Sequence, residues 1–291
     1  MNQEISNKLR YKFIDLFAGI GGFHLALHRN NMQCVFASEI DKEARKTYLA
    51  NHQIPPDQFN EDITNIDPKL IPDHDILCAG FPCQPFSQAG YKKGFKDERG
   101  NLFSNIRAIL EEKKPKAFIL ENVRHLLKHD NGRTFNIIYS ALVDLDYYVE
   151  YKIIKATEFG LPQHRPRIYI VGFHNKLLNT AKPFLFPKEI KLKTTMSDIW
   201  GGECSREIGY TLRVGGKSSP IDDRRNWDGY YVNGQIRRLS PKEGKKMMGF
   251  PDNFKFPTSN SQAMKQLGNS VCVDVVEHIA KEVKLYLDKN K

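Results

Sequence analysis

The 291-residue sequence predicts an α/β protein: a mostly parallel sheet with helices on both faces, then a small irregular region and a closing helix. Three observations carry this. Short apolar runs that end in glycine or a polar residue alternate with helix-length amphipathic segments up to about residue 172, the pattern of strands that must cross over a sheet to pair in parallel. Beyond Phe173 glycine, serine and basic residues increase, and long helical periodicity stops until Ser240. Residues 271–287 then carry apolar residues on one face, as a helix packing back on the first part would.

Taken in order, residues 13–17 form a first strand that ends in Gly19-Ile20-Gly21-Gly22, and residues 23–30 a helix with Leu25, Ala26 and Leu27. Residues 34–38 read as a strand, 41–51 as a helix and 75–79 as a strand ending at Gly80. Residues 101–113 are helical, 117–120 a buried strand, 133–145 a helix, and 148–154 and 167–172 strands. This predicts a first domain over 1–175, a small one over 176–260 and a C-terminal helix within 261–291 that returns to the first.

Composition bounds the classes. Hydrophobic residues are 40% and charged residues 27%, as in globular chains. No apolar run reaches the roughly 18 residues of a membrane span, and residues 1–12 lack the apolar centre of a signal peptide. The expectation is a cytoplasmic protein with no membrane contact. Cysteines 34, 78, 83, 204 and 272 are odd in number, which disfavours a disulfide framework, and no Cys-x-x-Cys or His-x-x-x-His pair suggests a metal. The net charge of +10 comes from 44 Lys and Arg against 34 Asp and Glu, and residues 206–246 hold ten of the former and five of the latter. Such an excess suits a polyanion, or is simply a solvated face.

The first loop, Phe17-Ala18-Gly19-Ile20-Gly21-Gly22, lets backbone approach a ligand at a strand end, yet is neither Gly-x-Gly-x-x-Gly nor a P-loop. Glu39, twenty residues after Gly19, ends the second strand, where an acid accepts from ribose hydroxyls. Asp62 follows and could accept from an adenine amino group. A tight turn with two solvated acids is the plain alternative. The ordered trio favours a nucleoside without a diphosphate, which S-adenosyl-L-methionine fits. In Gly80-Phe81-Pro82-Cys83-Gln84-Pro85-Phe86-Ser87, two prolines restrict a cysteine beyond a strand end, a setting for thiolate attack on an electron-poor carbon. On cytosine, addition at C6 makes C5 nucleophilic and puts charge on the ring, so an acid near N3 lowers the barrier. Glu121 is the best candidate and would need a raised pKa; Glu121-Asn122 equally fits a helix cap. Arg165 and Arg167 share one face of an extended stretch, suiting the base O2, the Glu121 carboxyl or phosphate, or lying on the surface.

Together these segments resemble the cytosine-5 DNA methyltransferases of bacterial restriction–modification systems. The resemblance rests on residues 13–27, Pro82-Cys83-Gln84, residues 97–103, Glu121-Asn122-Val123, residues 163–167, residues 238–254 with Gly249-Phe250-Pro251-Asp252, and Gln266-Leu267-Gly268-Asn269-Ser270-Val271. It spans about 12–172 and 238–280, and its specificity lies in the order of the set. It implies a Rossmann-like class I methyltransferase fold with a small irregular DNA-recognition domain, and methyl transfer from S-adenosyl-L-methionine, with S-adenosyl-L-homocysteine as product and no metal, to C5 of a flipped-out cytosine in duplex DNA. Cys83 is then the nucleophile and Glu121 the N3 acid, with Arg165 assisting at the base and Arg167 beside it. Phe17, Ala18, Gly19, Ile20, Gly21, Gly22, Glu39, Ile40, Asp62, Ile63, Pro82, Leu102, Asn269, Ser270 and Val271 surround the cofactor, and a loop from Pro82 to about Asn101, with Gln84 and Ser87 near the DNA, closes over it.

Two departures stand out: Glu61 where the family has glycine, and Lys242-Glu243-Gly244 where Arg-Glu-Cys is common. Residues 173–237 correspond to the target-recognition region, with Arg206, Arg213, Lys217, Arg224, Arg225 and Asn226 as candidate DNA contacts, and Thr211-Leu212-Arg213-Val214-Gly215-Gly216 resembling a glycine-rich recognition loop. Tyr210, Trp227, Tyr230 and Tyr231 read as the core of that region. The resemblance further implies a monomer, nucleoid-associated on DNA, a separately encoded restriction endonuclease, and a short palindromic site containing GCGC. A tRNA cytosine-5 methyltransferase on the same motifs and a DNA-binding protein without chemistry are the alternatives.

Overall fold

The computed structural model describes residues 11–82, 102–177, 182–215 and 218–290. Cys83, Gln84, Ser87 and Lys217 lie outside them, as does most of the predicted closing loop. The sheet is built from β1 (Tyr11–Leu16), β2 (Met32–Ser38), β3 (Phe59–Asn60), β4 (Ile76–Gly80), β5 (Ala117–Val123), β6 (Tyr147–Ile154) and β7 (Arg167–His174). Their order is β3-β2-β1-β4-β5-β7-β6. Strands β1 to β5 pair in parallel, and β7 runs antiparallel between β5 and β6. The direction of winding reverses between β1 and β4, so the carboxyl ends of those strands open a crevice, the usual ligand position in such sheets.

Period-2 side-chain direction divides each central strand between two cores. Phe13, Ile76, Cys78, Ile119 and Val171 join one buried cluster; Ile14, Leu77, Ala79, Leu120 and Ile170 join the other. That is why these strands read as continuous apolar runs rather than alternations. The first cluster is covered by α1 (Gly22–Arg29) and the C-terminal α8 (Val273–Lys289), whose Val276, Ile279, Ala280 and Val283 are fully buried. Arg29 pins the pair through Asp274 (3.1 Å) and Glu277 (2.9 Å). The second is covered by α3 (Leu102–Lys113) and α4 (Arg133–Val143) through Phe103, Ile106, Leu110, Phe135, Ile138 and Leu142. Between β2 and β3 lies α2 (Lys42–Asn51), which Asp41 caps by accepting from the amides of Glu43 and Ala44.

The later region has little regular structure, as expected. It contains α5 (Met196–Trp200), the hairpin β8 (Gly229–Val232) and β9 (Gln235–Arg238), α6 (Pro241–Met247) and α7 (Asn260–Asn269). Asn233 and Gly234 turn the hairpin with φ of 50° and 74°, the left-handed pair a two-residue loop requires. Neither this hairpin nor α7 was expected from sequence. Trp227 and Tyr230 are buried, as predicted, and belong to the same cluster as the α1/α8 face of the sheet. Tyr210 is half-buried, and Tyr231 departs from the expectation, being 42% exposed opposite Ile236 on the hairpin.

Candidate active site

The loop after β1 is shaped by three left-handed residues, Phe17, Gly19 and Gly21, with φ of 55°, 56° and 84°. The glycines serve different ends. A Cβ on Gly21 would lie 2.1 Å from His52 Nε2, and one on Gly22 would lie 2.7 Å from Val271 Cγ2, so both allow packing behind the loop. Gly19 faces open space and donates its N–H to Glu39 Oε2 at 2.7 Å. Phe17, Gly19 and Ile20 line a cavity of about 560 Å³ at the carboxyl ends of β1, β2, β4 and β5. Ala18 turns away and packs with Ala37 and Tyr48.

Glu39 continues the wall, its second oxygen accepting the Asp41 amide at 2.8 Å. Beside it Ile40 is 70% exposed, an apolar surface facing the cavity. Asp62 and Ile63 also line it, but the Asp62 carboxylate is already engaged, accepting from the Thr64 amide and hydroxyl and from Asn65 Nδ2 as a cap. Glu61 points outward to Arg45 at 3.2 Å, so this departure from the family pattern leaves the wall intact. Pro82 and Leu102 lie at the cavity. Of the C-terminal trio only Asn269 lines it; Ser270 and Val271 stand behind, against Gly22. Lys265, Gln266 and Gly268 complete that side; sequence singled out Gln266 and Gly268 only as part of a motif, and Lys265 not at all. Gln266 accepts from Thr47 at 2.9 Å, while its buried Nε2 has no partner among the described residues. An unpaired donor, a free apolar face, a carboxylate and an open glycine fit a nucleoside-bearing ligand.

Opposite stands Glu121 at the end of β5, buried and ion-paired through Oε1 to Arg167 Nε at 3.0 Å. Burial raises its pKa, against the opposing charges of Arg167 and Arg165. Its neighbour Asn122, singled out by sequence only as part of a motif, donates to Phe81 O at 2.8 Å and so ties down the start of the Pro82 loop. Arg165 differs from its expected role. Although it lines the cavity, its guanidinium donates to the carbonyls of Leu212 (3.2 Å), Gly268 (2.7 Å) and Ser270 (2.6 Å). Burial lowers its pKa to about 10, so it stays charged at neutral pH. The described cysteines, 34, 78, 204 and 272, are free, and none lines the cavity.

The family model for C-5 cytosine-specific DNA methylases matches residues 11–213 and 202–285. The chain belongs to that family. It is 45% identical to the Type II methyltransferase M.SsoII of Shigella sonnei, covering 96% of this chain and 81% of that one. It is 40% identical to the Type II methyltransferase M.HhaI of Haemophilus parahaemolyticus, covering 92% and 93%. The same fold occurs in the methyltransferase EhMeth of Entamoeba histolytica (TM-score 0.67, 20% identity, 97% and 99% covered) and the Dnmt2 methyltransferase of S. pombe (0.65, 20%, 96% and 99%). The chain is therefore a cytosine-5 DNA methyltransferase, an enzyme of the class I methyltransferase fold acting on DNA.

Of the predicted DNA contacts, three are already engaged. Arg206 lies over the Tyr210 ring, 4.3 Å from its centroid, and Arg225 is forked onto Asp223 at 3.0 and 2.8 Å. Asn226 is buried and braces the hairpin at Gly229. Arg213 and Arg224 are exposed and carry no side-chain hydrogen bond or ion pair among the described residues. In the Lys242-Glu243-Gly244 departure, a Cβ at Gly244 would lie 3.0 Å from Leu267 Cδ1, so a larger residue there needs that side chain to shift.

Proposed function

We propose that this enzyme is the modification component of a Type II restriction–modification pair, a monomer working in the cytoplasm and on the nucleoid, with residues 176–260 recognising a short DNA site. A separately encoded endonuclease of the same specificity is the expected partner, and a GCGC-containing palindrome is the first site to test. The reading is supported chiefly by one observation: the raised-pKa Glu121, held by Arg167, faces the glycine loop and Glu39 across one cavity.

S-adenosyl-L-methionine supplies an electrophilic methyl group. Glu39 and Gly19 would hold its ribose side, Ile40 its base, and the Gln266 amide a polar edge. The target carbon is hidden in the duplex stack, so the cytosine must flip out to reach the cavity. Cys83, which follows the cavity-lining Pro82 in sequence, adds as thiolate to C6. Glu121 Oε2, which makes no hydrogen bond among the described residues, meets N3 and stabilises the charge that addition creates. Arg167, rather than Arg165, is the guanidinium in contact with that acid, and it orients the carboxyl toward the base. After methylation at C5 a base, water included, removes the C5 proton and Cys83 departs.

Tritiated methyl transfer to mixed-sequence duplex DNA and to tRNA, with bisulfite sequencing of the DNA, tests this. Label in C5 of cytosine at one motif is expected. Transfer confined to tRNA, or scattered without a motif, would overturn it.

A further inference from the structure

Gln163 lies at the junction of the recognition segment and the catalytic pocket. It is fully buried in the turn entering β7, four residues before Arg167. Its Oε1 accepts the Leu212 amide at 3.0 Å, and its Nε2 donates to Met247 O at 3.1 Å. Around it the two chain segments are paired: Gly209 N donates to Pro162 O (2.8 Å), His164 N to Gly209 O (3.2 Å), and Arg165 Nη1 to Leu212 O (3.2 Å). Immediately beyond, Arg213 and Val214 point into solvent, Val214 being 51% exposed. The next residue is fixed again, with Trp227 Nε1 donating to Gly215 O at 2.7 Å. Beneath the step, Gly268 allows close approach, since a Cβ there would lie 3.1 Å from the Arg213 carbonyl. An arginine and an apolar side chain are thus displayed on backbone fixed before, after and below. A guanidinium so placed can pair with the O6/N7 edge of a guanine, and the valine can pack on a pyrimidine edge beside it.

We propose that Gln163 is a positioning residue for sequence specificity, locking the Arg213–Val214 step at a fixed offset from the Glu121–Arg167 pair. The base pair read outside and the cytosine held inside then stand a constant distance apart, and only DNA that satisfies both reacts. Gln163 itself touches neither the base nor the cofactor.

This rests on the reading that the enzyme methylates a defined motif. The wild type on a random duplex library tests that first, and absence of a motif would fail the reading rather than this inference. With the motif known, matched and singly mismatched duplexes are compared for kcat/KM. Gln163→Met keeps shape but removes both hydrogen bonds, and should lower discrimination at one motif position roughly tenfold, within the range a mismatched pair costs, with KM for the methyl donor unchanged. Gln163→Glu keeps the acceptor for Leu212 and should retain discrimination. Trp227→Phe, which loses the N–H to Gly215 together with part of a buried ring, should relax the same position and serves if the methionine variant does not fold. A role in stability alone would lower the rates on all duplexes together and leave the ratio at the wild-type value. That outcome in Gln163→Met, or full discrimination in Trp227→Phe, would overturn the proposal.

Discussion

At the glycine-loop wall of the cavity the backbone is set by what packs behind it; in residues 209–239 it is set by buried polar groups. Behind the glycine loop stand His52, Val271 and the apolar residues of β1 and β2, and Gly21 and Gly22 exist to let them close in. In residues 209–239 the fully buried Asp228 accepts the Ser218 amide and the Arg238 guanidinium at 3.0–3.1 Å, Asn226 braces Gly229, and Gln163 holds Leu212. Packing can be fixed by regular strands, whose register is costly to slip. A short irregular region has few strands to offer, so directional hydrogen bonds take that part, and their loss leaves buried partners unpaired. The difference predicts where each proposed function is vulnerable: cofactor binding to added volume, recognition to lost donors and acceptors.

The comparison can be broken at several points, beginning with the largest effect. Glu121→Gln keeps the volume but cannot exchange a proton at N3, and methyl transfer should fall roughly 10²- to 10⁴-fold. Equilibrium binding of S-adenosyl-L-homocysteine, measured by calorimetry, should be unchanged; lost binding would place Glu121 in cofactor recognition instead.

The two glycines of the loop should separate stability from binding. Gly21→Ala meets the His52 ring at 2.1 Å in a left-handed conformation and should destabilise by about 2 kcal/mol or more in urea unfolding. Gly19→Ala has open space on the cavity side and only the left-handed strain of about 1 kcal/mol to bear, so it should destabilise less than Gly21→Ala and weaken cofactor affinity more. The reverse assignment would contradict the account of the wall.

Beneath that loop His24 and His52 stack at 4.2 Å, and burial lowers their pKa values to about 2 and about 4. Each stays neutral when folded and takes a proton on unfolding below about pH 6.5, so stability falls as pH drops from 6.5 toward 4. The slope is up to about 1.4 kcal/mol per pH unit for each histidine. Buried Asp15, whose pKa is raised chiefly by desolvation, works in the opposite sense. Urea midpoints at pH 7 and 5 should therefore converge in His24→Gln relative to the wild type, and an unchanged pH dependence would contradict this.

The smallest effect belongs to the rim. Arg224→Ala should weaken DNA binding about equally for all sequences and reduce the salt dependence by about one counterion. Arg225→Ala should do less, because Asp223 already neutralises that guanidinium.

The architecture was legible in sequence to the extent that periodicity carried it. Strands β1, β2, β4 and β5 lie within a few residues of their predicted bounds because each is buried on both faces and bordered by glycine or acid. The α7 helix was not legible, since only Ala263, Met264 and Leu267 mark its apolar face; Lys265 was missed with it, while Gln266 and Gly268 were seen only as part of a motif. The Asn233-Gly234 pair between two short strands is a readable hairpin signal. The partners of Arg206, Arg225 and Arg165 are set by the path of the chain, and composition cannot tell an engaged arginine from a free one. The Asp62 cap, by contrast, is local, and its Asp-x-Thr spacing could have been read as one.

The central claim is that one thiolate and one buried acid act on the two faces of the same cytosine problem. It is tested most directly with a duplex carrying 5-fluorocytosine at the target, where fluorine replaces the proton that must leave C5. Incubation with S-adenosyl-L-methionine should trap a protein–DNA adduct, and peptide mapping should find it on Cys83 with a methyl group on the ring. Cys83→Ala should form none while still binding the cofactor. An adduct on another residue, or methyl transfer retained by Cys83→Ala, would contradict the account.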